Sequence, residues 1–330
     1  MALSRRRFIT LAAVAAGVSL VAGLTRTRPM PVRWQGTALG APASIQLYAT
    51  DENQARSALR AASAELARLE AVLSLYRSDS ALATLNRAGR LDNAPPDLIA
   101  VVERALELAR ISDGVYDPTI QPVWQLYYQH FLAERPDPAG PPAGVLAAAL
   151  SRVDWRAVEL DPTARRIAFS RPGMALTLNS GAQGYITDRV TEVLRVRGFE
   201  RMLVDMGEPR ALAAKPDGTA WRIGIANPAD PGHSVATLEV VDQAVATSGG
   251  YGTLFDPAGS FTHLIDPRTG RTAPALLGVS VVADAASQAD GLATAMLLAA
   301  PERRQAILRA GGGRQALYVT PQGVVETVHA

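Results

Sequence analysis

Cysteine is absent from this chain of 330 residues, lysine occurs once, at Lys215, and histidine only at His130, His233, His263 and His329. Without a thiol there is no disulfide, thiolate metal site, iron–sulfur cluster or cysteine nucleophile. No two histidines are close in sequence, so the spacing on which a histidine-built zinc site depends is missing. A basic stripe is missing too. The formal charge is +2, and setting aside Arg5, Arg6 and Arg7 leaves 30 basic against 31 acidic residues, a balance that argues against a nucleic-acid partner. No strand–GxGxxG–helix unit and no GxxxxGK[ST] loop occurs. Gly181-Ala182-Gln183-Gly184, Gly249-Gly250 and Gly311-Gly312-Gly313 miss those spacings and read singly as turns. No internal repeat of solenoid or propeller length is visible.

What is present is a packed globular chain, 48% hydrophobic with a mean hydropathy of +0.06. It opens with Ser4-Arg5-Arg6-Arg7-Phe8-Ile9-Thr10 and an apolar run over 11–24, the pattern of a twin-arginine export signal. The run is shorter than the roughly 20 residues of a spanning helix. We therefore expect residues 1–30 to be a twin-arginine signal peptide, or an N-terminal anchor if it is not cleaved. Residues 31–330 are expected to form one exported domain in the periplasm, held at the inner membrane where the leader or a partner tethers it.

Along that domain, residues 32–48 read as extended stretches broken by Gly36, Gly40 and Pro42. Residues 51–73 read as a helix, with Leu59, Leu66, Leu69 and Leu73 at helical steps. Pro95-Pro96-Asp97 opens a second helix that Asp113-Gly114 stops, and 136–142 is a proline-rich break. Short strands are expected within 153–178 and over 202–204, 221–226, 236–241, 278–282 and 316–320. Helices are expected over 184–196, 289–299 and 302–310. Strand runs with helices inserted between them predict an α+β fold of sandwich-like sheets, not a regular βαβ alternation.

Four segments carry candidate chemistry. The turn Ser74 to Ser80, leading to Leu85-Asn86, offers an aromatic ring and hydroxyls, and alone reads as a capped helix end. Asp113-Gly114-Val115-Tyr116-Asp117-Pro118-Thr119 is a compact turn that either presents amides to a ligand or closes an Asx-turn. Thr177 to Arg189 takes small residues into a helix start, where carbonyls and amides approach a pyrophosphate or cation closely. The last combines Thr247-Ser248-Gly249, His263-Leu264-Ile265-Asp266-Pro267-Arg268-Thr269-Gly270 and Ala289 to Ala295. Asp290 and Thr294, at i and i+4, share a helix face in the expected first turn. Both present hard oxygen, suited to magnesium or calcium, although an aspartate so placed equally serves free helix amides. His263, in an apolar stretch expected to be a strand, equally suits a structural role.

Taken together and in order, these segments resemble the ApbE family of FAD:protein FMN transferases. The family's Ser-x-Tyr turn is met by Ser74, Tyr76, Ser80, Leu85 and Asn86, and its Asp-Pro-Thr turn by Asp113 to Thr119 with Val115 inserted. Gly207-Glu208, Trp221 to Pro228, Thr247-Ser248-Gly249, His263 to Gly270, Asp290 and Thr294 complete the pattern. Within the family the chain is most similar to twin-arginine-exported NosX-type members associated with nitrous oxide reductase maturation.

The resemblance implies a single α+β domain of mostly antiparallel sheets with packed helices. It also implies transfer of FMN from FAD to a threonine of a partner flavoprotein, with release of AMP and dependence on Mg2+. Asp290 and the Thr294 hydroxyl, with the backbone carbonyls of Ser180 and Ala293, would bind Mg2+. Tyr76 and Val115-Tyr116-Asp117 would hold the adenine and ribose. Leu39, Thr177, Gln183 and Ile265 fall where the family contacts the flavin nucleotide, and His263 where it keeps a base or substrate-orienting group. Departures from the pattern are Leu39-Gly40-Ala41 for Met-Gly-Thr, Ser180-Gly181 for Gly-Ile or Ala-Ile, Thr177 for a common Asp, and Gln183 for a frequent Lys. The Gln183 and Thr177 departures support one alternative, a flavin-binding maturation factor without turnover; the other is a periplasmic metal-dependent FAD pyrophosphatase, in which water replaces the threonine.

Overall fold

The computed structural model describes residues 28–274, 277–320 and 322–330; the export signal lies outside them, save for its last residues. Strands β1 (Met30–Ala38) and β2 (Ala41–Ala49) form a hairpin with Ala38 opposite Ala41. Its two turn residues, Leu39 and Gly40, both have positive φ, at 48° and 87°, the geometry of a type I′ turn whose twist suits a hairpin. Helix α1 (Glu52–Leu73) is capped by Asp51, which accepts from the amides of Asn53 and Gln54. It buries the predicted stripe of Leu59, Leu66, Leu69 and Leu73.

The segment read as a polar turn holds a further helix, α2 (Ala81–Ala88). Ser80 is its N-cap, accepting from the Ala83 amide at 3.0 Å while its own hydroxyl donates to the Ser74 carbonyl at 2.6 Å. After β3 (Arg90–Leu91) and α3 (Pro96–Ile111) come two helices absent from the sequence reading, α4 (Gln121–Phe131) and α5 (Ala143–Leu150). The α5 sequence, AGVLAAAL, is almost uniformly apolar, so no periodicity distinguishes its faces.

Strands β4 (Val158–Asp161) and β5 (Arg166–Phe169) pair with β3 in a small sheet. Helix α6 (Asn179–Arg195) leads to β6 (Met202–Asp205), β7 (Pro209–Leu212), the hairpin β8 (Trp221–Asn227) and β9 (Asp230–Val240), and β10 (Gln243–Gly249). Strand β11 (Gly278–Ala283), helices α7 (Ala286–Leu298) and α8 (Pro301–Ala310), and strands β12 (Gly313–Val319) and β13 (Val325–His329) complete the chain. The main sheet has the order β1-β2-β6-β7-β10-β11-β12-β13 and every neighbouring pair is antiparallel.

Both faces of that sheet are covered, which is why β11 is buried at all six residues. Val279, Val281 and Ala283 join the main core with α1, α3, α6 and α7. Val282 points the other way, to Trp221, Ile225 and Val240 of the β8–β9 hairpin. A third core gathers Val123 and Tyr127 of α4, Ala149 of α5 and Ile265, with Trp124, Phe255 and Phe261 against them. It supports the irregular segment that carries His263. The α+β expectation therefore holds, with helices packed on an antiparallel sheet.

Candidate active site

Helices α6 and α7 pack against each other through small residues. A methyl group on Gly184 would lie 2.3 Å from the Ala286 carbonyl oxygen, so only glycine lets the two backbones approach this closely. At this junction the Gly184 amide donates to Asp290 Oδ2 at 2.9 Å. Asp290 stands in the second turn of α7, not the first, because the helix begins at Ala286. It therefore serves no amide of its own helix's start. Its carboxyl is pushed well above the ordinary range, chiefly by burial, with the Asp188 charge adding to the effect and the Gly184 amide opposing it. Thr294, one turn on, shares a 2.8 Å hydrogen bond with the Ser248 hydroxyl.

Ser180 and Gly181 break the helical geometry at the start of α6, with Ser180 at φ −92° and ψ 60°. The change in ψ turns the Ser180 carbonyl away from the helix direction, and the Tyr116 hydroxyl donates to it at 3.4 Å. Burial raises the Tyr116 pKa and keeps that phenol protonated.

These groups open on a cleft of about 520 Å3. Leu39, Tyr76, Ser180, Gln183, His263, Asp290 and Thr294 all line it, so the fold brings together residues from opposite ends of the chain. The Leu39 amide donates to Glu70 Oε1 at 2.8 Å, which holds the β-turn at the cleft edge. Leucine in place of the family methionine leaves that turn intact. Tyr76 is exposed, and its hydroxyl accepts from Asn179 Nδ2 at 3.3 Å. The Gln183 amide lies against Gly207, where a methyl group would come within 2.4 Å of its Nε2.

A smaller recess of about 70 Å3 adjoins the cleft and is lined by Val115, Tyr116, Asp117, Thr177 and Ile265. Asn179, Ser180, His263, Leu264 and Thr294 line both spaces. The Asp117 side chain is consumed locally: Oδ1 accepts from the Thr119 amide and hydroxyl at 2.8 and 2.7 Å, and Oδ2 from the Trp155 amide at 3.0 Å. The Asx-turn is thus real, and both carboxylate oxygens of Asp117 are already engaged within the fold. Ala293 is fully buried within α7 and lines neither space.

His263 does not lie in a strand. It sits in the irregular segment between α4–α5 and the cleft, with its ring edge against Gly252. Its Nδ1 lies 3.1 Å from the Thr253 carbonyl and 3.2 Å from the Thr253 amide, so the tautomer sets which one it engages. Burial lowers its pKa and favours the neutral imidazole. When Nδ1–H donates to the Thr253 carbonyl, Nε2 carries the lone pair.

The sequence reading assigned no role to Glu208, Ser248, Asn179 or Tyr251, yet all four line the cleft. Glu208 Oε2 accepts from the Thr247 amide at 3.1 Å, and burial together with the Asp290 charge raises its pKa well above the carboxylate range. Its presence in the quoted Gly207-Glu208 pair was the one signal that pointed to it. Among the described residues no arginine or lysine lines the cleft.

The candidate donors are the Asp290 carboxyl, the Thr294 hydroxyl and the Ser180 carbonyl, all hard oxygen, with the Glu208 carboxyl also lining the cleft. They fit a hard divalent ion better than zinc or copper. Fold and site define an α+β protein with a polar cleft lined by hard-oxygen donors. The ApbE family model matches residues 39–318, and the chain belongs to that family. It is 33% identical over 276 residues to the FAD:protein FMN transferase of Treponema pallidum, covering 76% of this chain and 74% of that protein. The crystal structure of Pseudomonas stutzeri flavinyl transferase ApbE in its apo form superposes with a TM-score of 0.78 at 26% identity, covering 93% of this chain and 96% of that one. The flavin transferase ApbE from Vibrio cholerae gives 0.76 at 25% identity, over 92% and 97%.

Proposed function

We propose that this protein is a transferase that moves the FMN half of FAD onto a threonine hydroxyl of a partner flavoprotein and releases AMP. The observation that carries this reading is the convergence of Asp290, Thr294, Ser180, Gln183 and His263 on one cleft that continues into the Tyr116 recess. The relatives' activity supports it. Asp290, the Thr294 hydroxyl and the Ser180 carbonyl would hold Mg2+, which when bound neutralises charge on the pyrophosphate. The recess backbone and Tyr76 hold the adenosine end, and the Leu39 turn and Gln183 border the flavin nucleotide.

The chemistry asks little covalent help from the protein. The threonine oxygen forms a bond to the FMN phosphorus, the bond from that phosphorus to the bridging oxygen breaks, and the electron pair leaves on AMP. His263 Nε2 takes the threonine proton, with Nδ1–H held by the Thr253 carbonyl. The His263 segment and the α6–α7 junction both line the cleft and would orient the two reactants. The arginine pair at Arg5-Arg6 supports export by the twin-arginine route, which puts the reaction in the periplasm. An acceptor in the inner membrane, or an uncleaved leader, would hold it at that surface.

Purified protein incubated with FAD, Mg2+ and a threonine-bearing acceptor tests the reading by mass spectrometry and nucleotide analysis. Covalent FMN on the acceptor with free AMP is the expected result. Bound FAD with an unchanged acceptor identifies a carrier instead, and free FMN plus AMP a hydrolase.

A further inference from the structure

Helix α7 carries Asp290 and Thr294 yet has no N-terminal cap of its own. Ala285 stands at the N-cap without a side-chain hydrogen bond, and no acidic residue lies in the first turn. The first amides are instead satisfied from α6. Asp188 Oδ1 accepts from the Ala286 amide at 2.9 Å, and Oδ2 from the Ser287 amide at 2.9 Å. Arg210 Nη1 donates to Asp188 Oδ1 at 2.6 Å, in a pair whose side chains are only 24% and 15% exposed. Arg104 Nε donates to the Ser287 carbonyl at 2.9 Å and holds the same corner from α3.

Asp188 and Gly184 are four residues apart in the regular part of α6, so they lie on one helix face, while Ser180 precedes them across the break at Ser180-Gly181. On α7 the matching positions run in the opposite sense. Asp188 meets Ala286 and Ser287, and Gly184 meets Ala286 and Asp290. Near Ser180, a methyl group on Gly291 would lie 3.4 Å from the Ser180 carbonyl oxygen. The three rungs set one register between the helices. That register decides where the Ser180 carbonyl stands relative to Asp290 and Thr294.

We propose that Asp188, braced by Arg210, is a positioning residue for the cation site: it caps α7 from α6 and thereby fixes the geometry of the three oxygen donors. The proposal rests on reading those donors as cation ligands. An aspartate that merely stabilised the fold would affect melting and not the affinity of the folded protein for a cation. The test is titration of the full chain with Mn2+, a hard divalent probe followed by electron paramagnetic resonance, on wild type, Asp188→Asn, Asp188→Ala and Asp290→Asn. Melting temperatures without metal are measured in parallel.

Loss of an orienting group outside the ligand set typically weakens metal binding by about 10–100-fold. Asp188→Ala is expected within that range. Asp188→Asn, which keeps an acceptor for one amide and fills the same space, is expected to fall between it and wild type. Transfer by both variants should recover as Mg2+ is raised. Wild-type Mn2+ affinity in a folded Asp188 variant, even one with a lowered melting temperature, overturns the positioning role. If Asp188→Ala does not fold, the Asn variant alone decides. Undiminished Mn2+ binding by Asp290→Asn overturns the cation site itself, a failure distinct from that of Asp188.

Discussion

The two walls of the cleft are built by different means. On one side α6 and α7 cross at glycine contact distance, tied by the Gly184 amide to Asp290 and by Asp188 to two amides of α7. On the other, His263 sits in irregular chain with a few backbone bonds, standing on the aromatic cluster of Tyr127, Phe255 and Phe261. The helical wall presents oxygen donors in fixed register, as a cation requires. The irregular segment brings His263 to both the cleft and the recess, where the proposed reaction uses it as proton acceptor. On the proposed function, the helical part would gather the charge and the irregular part, outside helix and strand, would meet the acceptor.

The largest expected effect comes from removing the charge on the helical wall. Asp290→Ala should reduce FMN transfer, read as acceptor mass, to background. The protein should stay folded, because the loss of an acceptor for the buried Gly184 amide, costing about 1–3 kcal/mol, is offset by removal of a carboxyl held in a desolvating site. Transfer at wild-type rate would remove Asp290 from the chemistry.

Breaking the crossing itself comes next. Gly184→Ala forces a methyl group into the Ala286 carbonyl, where neither backbone can yield without moving a helix, and overpacking of this kind costs about 1–3 kcal/mol. A melting temperature within a degree of wild type would mean that the helices slide freely.

The opposite wall should respond more locally. Tyr127 is buried and its hydroxyl donates to the Gly270 carbonyl at 2.9 Å. Tyr127→Phe is expected to cost about 1 kcal/mol and to speed amide hydrogen exchange in 263–273 while leaving 184–188 and 286–294 unchanged. Equal acceleration on both sides would erase the distinction between the walls.

A pH experiment sharpens it. The folded-state pKa of Asp290 is pushed up to about 7, above its unfolded value of about 4. Between those values the folded protein holds a proton that the unfolded chain has lost, so this group's contribution to stability falls as pH rises through the window. A cation on the ionised carboxylate reverses that loss. The rise in melting temperature on adding Mg2+ should therefore be larger at pH 8 than at pH 6, and an equal rise at both would separate the cation from Asp290.

The smallest effect is expected at Gln183. Gln183 stands where the family frequently has a lysine, and among the described residues no arginine or lysine lines the cleft. Gln183→Lys would place an ammonium beside Gly207-Glu208 and should tighten FAD several-fold, since a charge-assisted bond exceeds a neutral one by about 1 kcal/mol. No gain in a binding titration would mean that position 183 does not limit affinity.

Much of this was legible in the chain. Helix α1 could be read because Leu59, Leu66 and Leu69 repeat on one face, and Asp290 with Thr294 because four residues bring two oxygen donors to one side of a helix. Helix α5 could not, since AGVLAAAL has no polar face to mark its period. Ser80 read as a turn hydroxyl because a cap and a turn use the same residue types, and only the following geometry separates them.

Local order and residue chemistry were therefore determined by the sequence itself, since periodicity, capping and donor type act over a few residues. Tertiary structure alone decided which donors meet. The Asp188 caps on α7 span 98 and 99 residues, and the Gly184 bond to Asp290 spans 106. No local pattern encodes such pairings, because they arise only when the antiparallel sheet and the close crossing of α6 and α7 bring distant segments to a common register.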